Sequence, residues 1–437
     1  GGWGGERGRV GMRRESWWSG LLGVCWMGSV LVCTSGLHVG VAHAESAVAL
    51  EKPEALAAGG FASATDPRIR TTPFDSTGGR GHRFSLAQGA RAIPVVVVGG
   101  TPYEMGYQYG RLMREEIEAF VPLVLERFKQ AMDVSSEELD AVWRITSAYT
   151  DDRVEQELLG LAAGAGVPGT PLQQVHVVPL LAPYSCSSVA AWGDATADGH
   201  LYQTRDLDWQ LEIGAHDFPV VVVYVPDRGV AHVNPAFAGF CGAHTGMNEA
   251  GIVLSEMGDS PAREMPYNLH APHFTTFFRS FLYDMRDLDA LLTAFHALPA
   301  TKRYHYVFGA GTPPARAVKL RTDAAAAEGE RVIVWRDNDS EDEFAPRVLE
   351  CVVYNDEGRG AFPGLQARHG QLDAEALMAT ARQIATRGSN VMNVVYDATA
   401  FRLWVAYAHG PREAYELPFA PLELTPLVQR FRAAGGS

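Results

Sequence analysis

A cysteine and an arginine stand on two predicted strands that pair as a hairpin in the middle of this chain. Cys186 begins an apolar run over residues 187–192, and a second run follows over residues 200–207. Asp198-Gly199 between the runs is typical of a hairpin turn, which returns Arg205 towards the cysteine. A nearby guanidinium favours the thiolate and lowers the pKa of a cysteine. The pattern therefore indicates a candidate nucleophilic thiol at Cys186.

Asp208 adds a carboxylate at the end of the second strand, where it can orient an amine or the guanidinium of Arg205. Arg205 and Asp208 are three residues apart, so strict alternation does not place them on one strand face. A bend near the strand end is needed to aim both side chains inward. The residues alone leave a structural interpretation open, because most buried cysteines pack as small hydrophobic residues.

Four motifs follow one another along most of residues 94–430. They are the glycine-rich run Gly100–Gly106 with Gly110, the run 186–209 around Cys186, the turn Gly246–Gly251, and Ser389–Asp397 followed by residues 403–408. Their order and spacing resemble the choloylglycine hydrolase and penicillin acylase group. The resemblance is greatest to the branch that holds the acyl-coenzyme A:6-aminopenicillanic acid acyltransferase. These families are N-terminal-nucleophile hydrolases, so the resemblance implies an α+β fold built as a four-layer αββα sandwich.

The resemblance also implies roles for residues of this chain. The precursor is expected to cut itself between Ser185 and Cys186, and Cys186 then acts as the nucleophile through its sulfur. Arg205 is expected beside that sulfur, and Asp208 is expected to hold the new amino group. Asn355 stands where the group places an asparagine near the oxyanion, although a turn residue that ends a strand is an equal alternative.

The oxyanion hole departs from the family pattern. The family often has an asparagine nine or ten residues after the turn asparagine, and those positions here are Met257 and Gly258. Ser255 and Glu256 are the nearest polar residues, and a backbone N–H is a further alternative. Asn248, the turn asparagine itself, is a candidate for the oxyanion or substrate, with a structural role in the turn favoured.

The predicted elements divide the chain where Cys186 stands. Residues 45–92 are predicted to be an irregular lead-in with little regular structure. Residues 93–185 are predicted to be a helical propeptide, which becomes the α chain after cleavage. Residues 186–437 are predicted to be the catalytic domain, or β chain, whose runs of strands with segregated helices favour an α+β fold with an antiparallel core.

Residues 1–44 are predicted to be a leader. Met12-Arg13-Arg14 gives a positive start, no charged residue occurs over 16–44, and Ala42-His43-Ala44 fits a cleavage site for export. The prediction is a periplasmic or extracellular protein. An uncleaved membrane anchor is the alternative, because the uncharged stretch is long enough to span a bilayer.

The composition limits the partners. Lys and Arg number 37 against 51 Asp and Glu, and no basic cluster offsets the net charge of −14, so nucleic acid or an anionic membrane is not an expected partner. Beyond the leader the cysteines are Cys186, Cys241 and Cys351, an odd number that leaves at least one thiol unpaired. Neither these cysteines nor the histidines have zinc-ligand spacing, and no metal or cofactor is predicted.

The expected activity is a self-processing cysteine amidohydrolase or acyltransferase that cleaves a C–N amide bond of a small N-acyl substrate. The α and β chains are expected to stay together. His200 and His244 are interpreted as structural or substrate-facing. Aromatic residues that can line an acyl pocket, or simply form core, are Phe237, Phe240, Tyr267, Phe274, Phe277 and Phe278. The alternatives are an unprocessed cysteine hydrolase with a histidine base, and an inactive exported binding scaffold of the same fold.

Overall fold

Two β-sheets form the centre of the computed structural model, which describes residues 81–259, 267–326 and 331–435. The larger sheet contains, in spatial order, β1 (His82–Gln88), β2 (Arg91–Gly100), β5 (Pro219–Pro226), β6 (His232–Phe237), β7 (Thr245–Asn248), β8 (Ile252–Gly258), β9 (Tyr304–Ala310), β10 (Arg316–Thr322) and β11 (Val332–Trp335). The smaller sheet contains β12 (Val352–Asn355), β3 (Ser185–Gly193), β4 (Gly199–Asp208), β13 (Asn390–Asp397), β14 (Arg402–Tyr407) and β15 (Ala420–Glu423). Neighbouring strands are antiparallel except β2 and β5, which are parallel.

Helices cover the outer faces of both sheets. Those that precede the cysteine are α1 (Pro102–Leu112), α2 (Arg114–Met132), α3 (Ser136–Thr146), α4 (Asp152–Ala165) and α5 (Gly169–Leu181). Those that follow it are α6 (Phe274–Asp284), α7 (Leu288–His296), α8 (Ala361–Ala367), α9 (Ala374–Ile384) and α10 (Thr425–Gly435). None of these helices, within the described part of the chain, is long and apolar enough to cross a membrane.

The layers form the predicted αββα sandwich. Strands β3 and β4 of the smaller sheet pack against β8 and β9 of the larger sheet. Helix α9 packs on the outer face of the smaller sheet, and α6 and α7 pack on the outer face of the larger one. Each sheet therefore buries one face against the other sheet and one face against helices, which confirms the predicted α+β class.

Helices α1 and α4 approach each other unusually closely through glycines. A Cβ built on Gly106 would lie 2.0 Å from the Glu157 carbonyl oxygen, and one on Gly160 would lie 2.0 Å from the Tyr103 carbonyl oxygen. Real Cβ atoms essentially never come within 3.0 Å of such an atom. The glycines at four-residue spacing therefore let the two backbones touch, which explains the first of the four sequence motifs structurally.

The predicted lead-in contains a strand. β1 pairs antiparallel with β2 through a turn at Gly89, whose φ of 61° suits glycine. The prediction of little regular structure is therefore wrong for residues 82–92. β1 is an edge strand with mostly exposed or half-buried side chains, so its sequence carries only a weak hydrophobic pattern. Residues 45–80 and the predicted leader 1–44 lie outside the described residues.

The segments on the two sides of Ser185 share one core. β2 precedes the predicted cleavage site and β5 follows it, yet six residue pairs join them, from Val95–Val221 to Gly100–Pro226. The larger sheet therefore continues through both segments. Cleavage after Ser185 would cut a strand end of the smaller sheet without separating these paired strands.

Candidate active site

The register of β3 and β4 decides which side chains meet. Cys186 pairs with Leu207, and Ser185 pairs with Asp208. Paired residues of antiparallel strands share a sheet face, and alternate residues along a strand do as well. Cys186, Leu207 and Arg205 therefore lie on one face of the smaller sheet, and Asp208 lies on the other.

The inner face carries the cysteine and the arginine. Gln203 lies two residues before Arg205 on that face, and it donates a hydrogen bond across to Ser255 Oγ of β8 at 2.8 Å. Asp208 instead faces the helical layer, where it accepts from the Thr386 backbone N–H after α9 at 3.1 Å. The bend that would aim both Arg205 and Asp208 inward is not formed, and the two side chains lie on opposite faces of the strand end.

Cys186 shares a fully buried cluster with Arg205 and Glu256. Arg205 Nη2 lies 3.5 Å from Glu256 Oε2, and the Tyr184 hydroxyl donates to Glu256 Oε1 at 3.0 Å. Within the described residues, none of the Arg205 nitrogens makes a hydrogen bond. A buried guanidinium normally satisfies its five N–H donors, so Arg205 keeps donors available for a group that develops negative charge.

Burial dominates the titration of the nucleophile. It raises the pKa of Cys186 to about 12, although Arg205 acts in the opposite direction. The Glu256 and Asp208 carboxylates raise the pKa further. The expectation of a lowered cysteine pKa is therefore wrong for the uncut chain, because desolvation of the thiolate exceeds the attraction of one guanidinium. Burial also opposes the charge of Arg205, yet Cys186 and Glu256 hold its pKa above the ordinary value.

Asp208 is held rigidly beside the predicted cleavage site. Its Oδ1 accepts from Asn390 Nδ2 at 2.8 Å, in addition to the bond from Thr386. Burial raises the pKa of Asp208, while the hydrogen bonds from Thr386 and Asn390 oppose that shift. Since Asp208 pairs with Ser185 in the strand register, its carboxylate is fixed next to the peptide that precedes Cys186.

Two charged residues contact this peptide that were not predicted from the sequence, Arg359 and Glu357. Arg359 donates from Nη2 to the Cys186 carbonyl oxygen at 3.2 Å and from Nη1 to Ser185 Oγ at 3.3 Å. Ser185 Oγ in turn donates to Glu357 Oε2 at 2.7 Å. Both residues follow β12 in a turn that Asp356 closes by accepting from the Gly360 N–H at 2.9 Å. A glycine-flanked turn with residues of both charges is usually exposed to solvent, so the sequence gave no indication of this contact.

Asn355 lies on the same inner face as the nucleophile. It pairs with Ser188 of β3, two residues after Cys186, and it is 1% exposed. Its Nδ2 makes a long contact of 3.8 Å with Met257 Sδ, and its Oδ1 has no hydrogen-bond partner within the described residues. An amide donor held this weakly is available for an oxyanion, as the sequence hypothesis requires.

The other oxyanion candidates have different surroundings. Ser255 Oγ donates to the Thr204 carbonyl oxygen at 3.2 Å while it accepts from Gln203, so it joins the two sheets. Asn248 donates from Nδ2 to the carbonyl oxygens of Leu282 and Met285, at 3.1 and 2.8 Å. These bonds use both amide hydrogens of Asn248, so none remains for a substrate. Glu256 faces Arg205 and is an acceptor when ionised.

A narrow apolar cavity lies next to the buried cluster, although none of Cys186, Arg205 and Glu256 is among its lining residues. It is bounded by Leu207, the strand partner of Cys186, and by Tyr184, two residues before the cysteine. Its other lining residues are Phe120, Val124, Val175, Val178, Pro179, Ala182, Trp209, Ala215, Phe237, Phe240 and His244. Residues from both sides of the predicted cut therefore form this cavity.

Of the predicted acyl-pocket aromatics, Phe237 and Phe240 line the cavity. Phe274, Phe277 and Phe278 instead pack edge-on or tilted against one another and against Tyr304 and Tyr306 in the core. Tyr267 is buried near the ammonium of Lys302, which lies 5.4 Å from its ring centroid.

Cys241, Cys351 and His200 have surroundings of their own. Cys241 and Cys351 are unpaired thiols. Cys241 contacts His176, with 3.4 Å between Sγ and Nε2. His200 lies at the far end of the β3–β4 hairpin, with Nδ1 3.0 Å from Asp397 Oδ2. In residues 81–259, 267–326 and 331–435 no group of His, Cys, Asp and Glu is arranged to hold a metal ion.

No family model matches this chain. Among curated proteins, the chain is 30% identical over 200 residues to Protein dcd1B of Dictyostelium discoideum, which covers 40% of each protein. It is 25% identical over 201 residues to Protein dcd1A of the same organism, covering 39% of this chain and 45% of that protein. An uncharacterized protein of Archaeoglobus fulgidus is 24% identical over 185 residues, covering 36% and 31%. The matched region thus spans less than half the length of each curated relative.

Among solved structures, an N-acylethanolamine-hydrolyzing acid amidase ortholog from Caenorhabditis elegans aligns with a TM-score of 0.37 at 13% identity, over 49% of this chain and 93% of that chain. Penicillin V acylase from Agrobacterium tumefaciens aligns at 0.36 and 12%, over 52% and 84%. A variant of the conjugated bile acid hydrolase from Clostridium perfringens aligns at 0.34 and 10%, over 55% and 93%. This chain is similar to each of these structures over about half of its length.

Proposed function

We propose that this chain is a self-processing cysteine amidohydrolase that cleaves the C–N bond of an N-acyl amide through an acyl-enzyme on Cys186. One observation carries the proposal. Cys186 is the second residue of β3 and lies beside Arg205, whose buried N–H groups make no hydrogen bond in the described residues, and Asp208 is fixed next to the preceding peptide. The four sequence motifs that resemble N-terminal-nucleophile hydrolases support the same role.

Self-cleavage would begin with attack of Cys186 Sγ on the carbonyl carbon of Ser185. A C–S bond forms, the C–N bond breaks, and the thiol proton passes to the departing nitrogen. Water then hydrolyses the thioester, which leaves a carboxylate on Ser185 and restores the thiol. Arg359 and Glu357 hold both residues of the scissile bond, so their contacts fix the strand during this step.

Cleavage creates the catalytic base. The new α-amino group of Cys186 has a reference pKa of about 7.7–8.0, so it can exchange protons near neutral pH. Asp208 would orient this amine. The amine accepts the thiol proton as Sγ attacks the substrate carbonyl, and it then protonates the leaving amine. Water resolves the acyl-enzyme, or a second amine takes the acyl group in a transfer reaction. Arg205 and Asn355 supply donors for the oxyanion.

The uncut chain would be a zymogen. Cys186 has no exposed surface while Ser185 continues its strand and Tyr184 precedes it. A substrate amide therefore cannot reach Sγ until the peptide before Cys186 is cut and its end moves away. This burial couples catalytic activity to the cleavage event.

The two chains would remain associated after the cut. The β2–β5 pairing joins them through the backbone. Arg153 of α4 makes two hydrogen bonds to the Asp284 carboxylate, at 3.0 and 2.6 Å. Arg279 of α6 binds Glu157 of α4 at 2.8 Å, with both side chains fully buried. Separation of the two chains would break these buried ion pairs and leave each charged group without its partner, which favours continued association.

A histidine-assisted mechanism finds less support. The charged groups that act on the Cys186 thiol are Arg205, Glu256 and Asp208, and no histidine of the described chain is among them. The cysteine that does contact a histidine is Cys241, and burial raises its pKa well above the ordinary value. An inactive scaffold would have no need for the buried Arg205 beside Cys186.

Acyl-enzyme trapping tests the proposal. Purified protein is incubated with a panel of chromogenic N-acyl anilides, quenched in acid and analysed by intact mass. We expect the acyl mass to appear on the fragment that begins at Cys186, and to appear equally in a Cys241→Ala variant. Turnover without an adduct on that fragment, or an adduct that persists in Cys186→Ala, would refute the assignment of the nucleophile.

A further inference from the structure

A second buried carboxyl group lies next to Asp208. Asp206 is fully buried and stands two residues before Asp208 on β4, so both side chains face the helical layer. Its strand neighbours are Ser187 of β3 and Asn393 of β13, which are fully buried as well. Ser187 Oγ donates a hydrogen bond to Asp206 Oδ2 at 3.3 Å. Neither step of the proposed mechanism uses this carboxyl group.

The side-chain amide of Asn390 has a fixed orientation. Its Oδ1 accepts from the Tyr415 backbone N–H at 2.9 Å, and a backbone N–H can only donate. Its Nδ2 therefore points the other way, where it donates to Asp208 Oδ1 at 2.8 Å and to Asn393 Oδ1 at 2.7 Å. These two bonds use both amide hydrogens of Asn390.

The amide of Asn393 is oriented by Asn390. Exchanging its oxygen and nitrogen would place the nitrogen 3.2 Å from Asp206 Oδ1 and 2.9 Å from the Met392 carbonyl oxygen. The same exchange would bring the amide nitrogens of Asn393 and Asn390 within 2.7 Å and their amide oxygens within 3.0 Å. Both of these contacts are repulsive, because a donor would face a donor and an acceptor would face an acceptor. Asn393 therefore keeps its Oδ1 towards Asn390.

An oxygen atom of Asn393 thus faces an oxygen atom of Asp206. The two Oδ1 atoms are 3.2 Å apart, and acceptor oxygens at this distance repel each other unless a hydrogen lies between them. Asn393 Oδ1 carries no hydrogen, so the hydrogen belongs to the carboxyl group. Burial raises the pKa of Asp206 well above its ordinary value, and the charge of Asp208 acts in the same direction, whereas Arg205 and Arg359 oppose the shift.

We propose that Asp206 is a positioning residue for Asp208 and that it acts as a neutral carboxylic acid. Its hydroxyl donates to Asn393 Oδ1, which also accepts from Asn390, and Asn390 in turn donates to Asp208. An ionised Asp206 would repel both Asn393 Oδ1 and the charge on Asp208. With Asp206 neutral, Asp208 is the carboxylate of this pair that holds the Cys186 amine. This inference rests on the proposed function, because it explains how the carboxylate that would orient the amine is kept in place.

Two substitutions test the positioning role. Asp206→Asn keeps a donor for Asn393 and an acceptor for Ser187 without a charge, so self-cleavage and kcat should stay within about threefold of the wild type. Asp206→Leu has a similar volume but removes both groups, so kcat should fall by about 10- to 100-fold. KM for the same N-acyl anilide should stay within about twofold, since Asp206 is not among the residues that line the apolar cavity. Circular dichroism reports whether each variant has folded.

Infrared spectroscopy tests the proton without any measurement of activity. Purified wild-type protein with ¹³C-labelled aspartate carboxyl groups should show, at neutral pH, the C=O stretch of a protonated carboxylic acid. This band should be missing in Asp206→Asn. Asp227→Asn is the matched control, because Asp227 is exposed, and it should leave the band unchanged.

The outcomes separate this inference from the proposed function. A band that is the same in the wild type and in Asp206→Asn would overturn the neutral acid. Asp206→Asn as slow as Asp206→Leu would overturn it too, because an ionised carboxylate would then be required, and Asp206→Leu as fast as the wild type would overturn the positioning role. A wild-type protein that neither cleaves itself nor turns over any N-acyl amide would overturn the proposed function and the positioning role with it, while the infrared band would still show whether Asp206 carries the proton.

Discussion

Replacing Gly160 by alanine would force two helices apart. The new Cβ would lie 2.0 Å from the Tyr103 carbonyl oxygen and 2.8 Å from the Tyr107 nitrogen. Both contacts are to backbone, so no side chain can rotate away to relieve them. Because contacts below 3.0 Å essentially never occur, α1 and α4 must separate by about 1 Å at this point.

The expected cost follows from two opposing effects. Overpacking of a well-packed interface costs about 1–3 kcal/mol, and the upper end applies when backbone must move. Alanine gains about 1 kcal/mol over glycine through its helix propensity. The net loss in the free energy of unfolding should be about 2 kcal/mol, which lowers Tm by roughly 2–3 °C in a protein of this size. The displacement also moves Glu157 away from Arg279, so retention of the α chain after cleavage should weaken.

Thermal unfolding followed by circular dichroism measures this effect, and size-exclusion chromatography measures retention of the α chain. Gly169→Ala is the matched control, because a Cβ on Gly169 would have no atom within 4 Å. We expect Gly169→Ala to unfold within about 1 °C of the wild type or slightly above it. If Gly160→Ala were as stable as Gly169→Ala, the close helix contact would not exist and the account of the glycine motif would be refuted.

Three further predictions concern buried charge. Arg279→Met leaves Glu157 buried without its partner, so it should lower the free energy of unfolding in urea by about 3–5 kcal/mol, whereas adding Glu157→Leu should recover much of that loss; an equal loss in the double variant would contradict this. Arg205→Met removes the donors and the charge beside Cys186, so precursor cleavage, followed on denaturing gels, should slow by about 10²–10³; cleavage at the wild-type rate would exclude that role. Because burial raises the pKa of Cys186 from 9.0 to about 12, the thiolate fraction and the cleavage rate of freshly refolded precursor should rise about tenfold per unit between pH 6 and 8. A cleavage rate that falls with pH would contradict the thiolate as nucleophile. The same upward shift of the Cys186 pKa means that the uncut chain loses stability between about pH 9 and 12, because the thiol of the unfolded chain ionises at a lower pH than the buried thiol.

Local signals predicted the elements around the site well. β3 and β4 do form the predicted hairpin, through residues 194–198, and Thr101 and Glu104, whose spacing is typical of a capping box, form one at the start of α1. Such features depend on neighbouring residues, so the sequence contains nearly all the information. Residues 274–296 contain two helices, α6 and α7, because Asp287 caps a new helix start between them.

Features that depend on distant segments could not be predicted. The contact of Arg359 with Ser185 joins residues 174 positions apart, and no local pattern announces it. The pKa of Cys186 was predicted in the wrong direction, because the guanidinium is visible in the sequence while the depth of burial is not. The strand β1 was missed because an edge strand needs few apolar residues. The positions of Asn355 and Asp208 come from the strand register, and their roles are inferred from the motif resemblance together with that geometry.

Intact mass and amino-terminal sequencing of the purified protein test the central claim most directly. We predict two fragments in the wild type, the second beginning Cys186-Ser187-Ser188, and the same two fragments in Cys241→Ala. Cys186→Ala should give a single uncut chain with an unchanged circular dichroism spectrum. A wild-type chain that stays uncut, or cleavage before residue 186 in Cys186→Ala, would contradict self-processing by this cysteine.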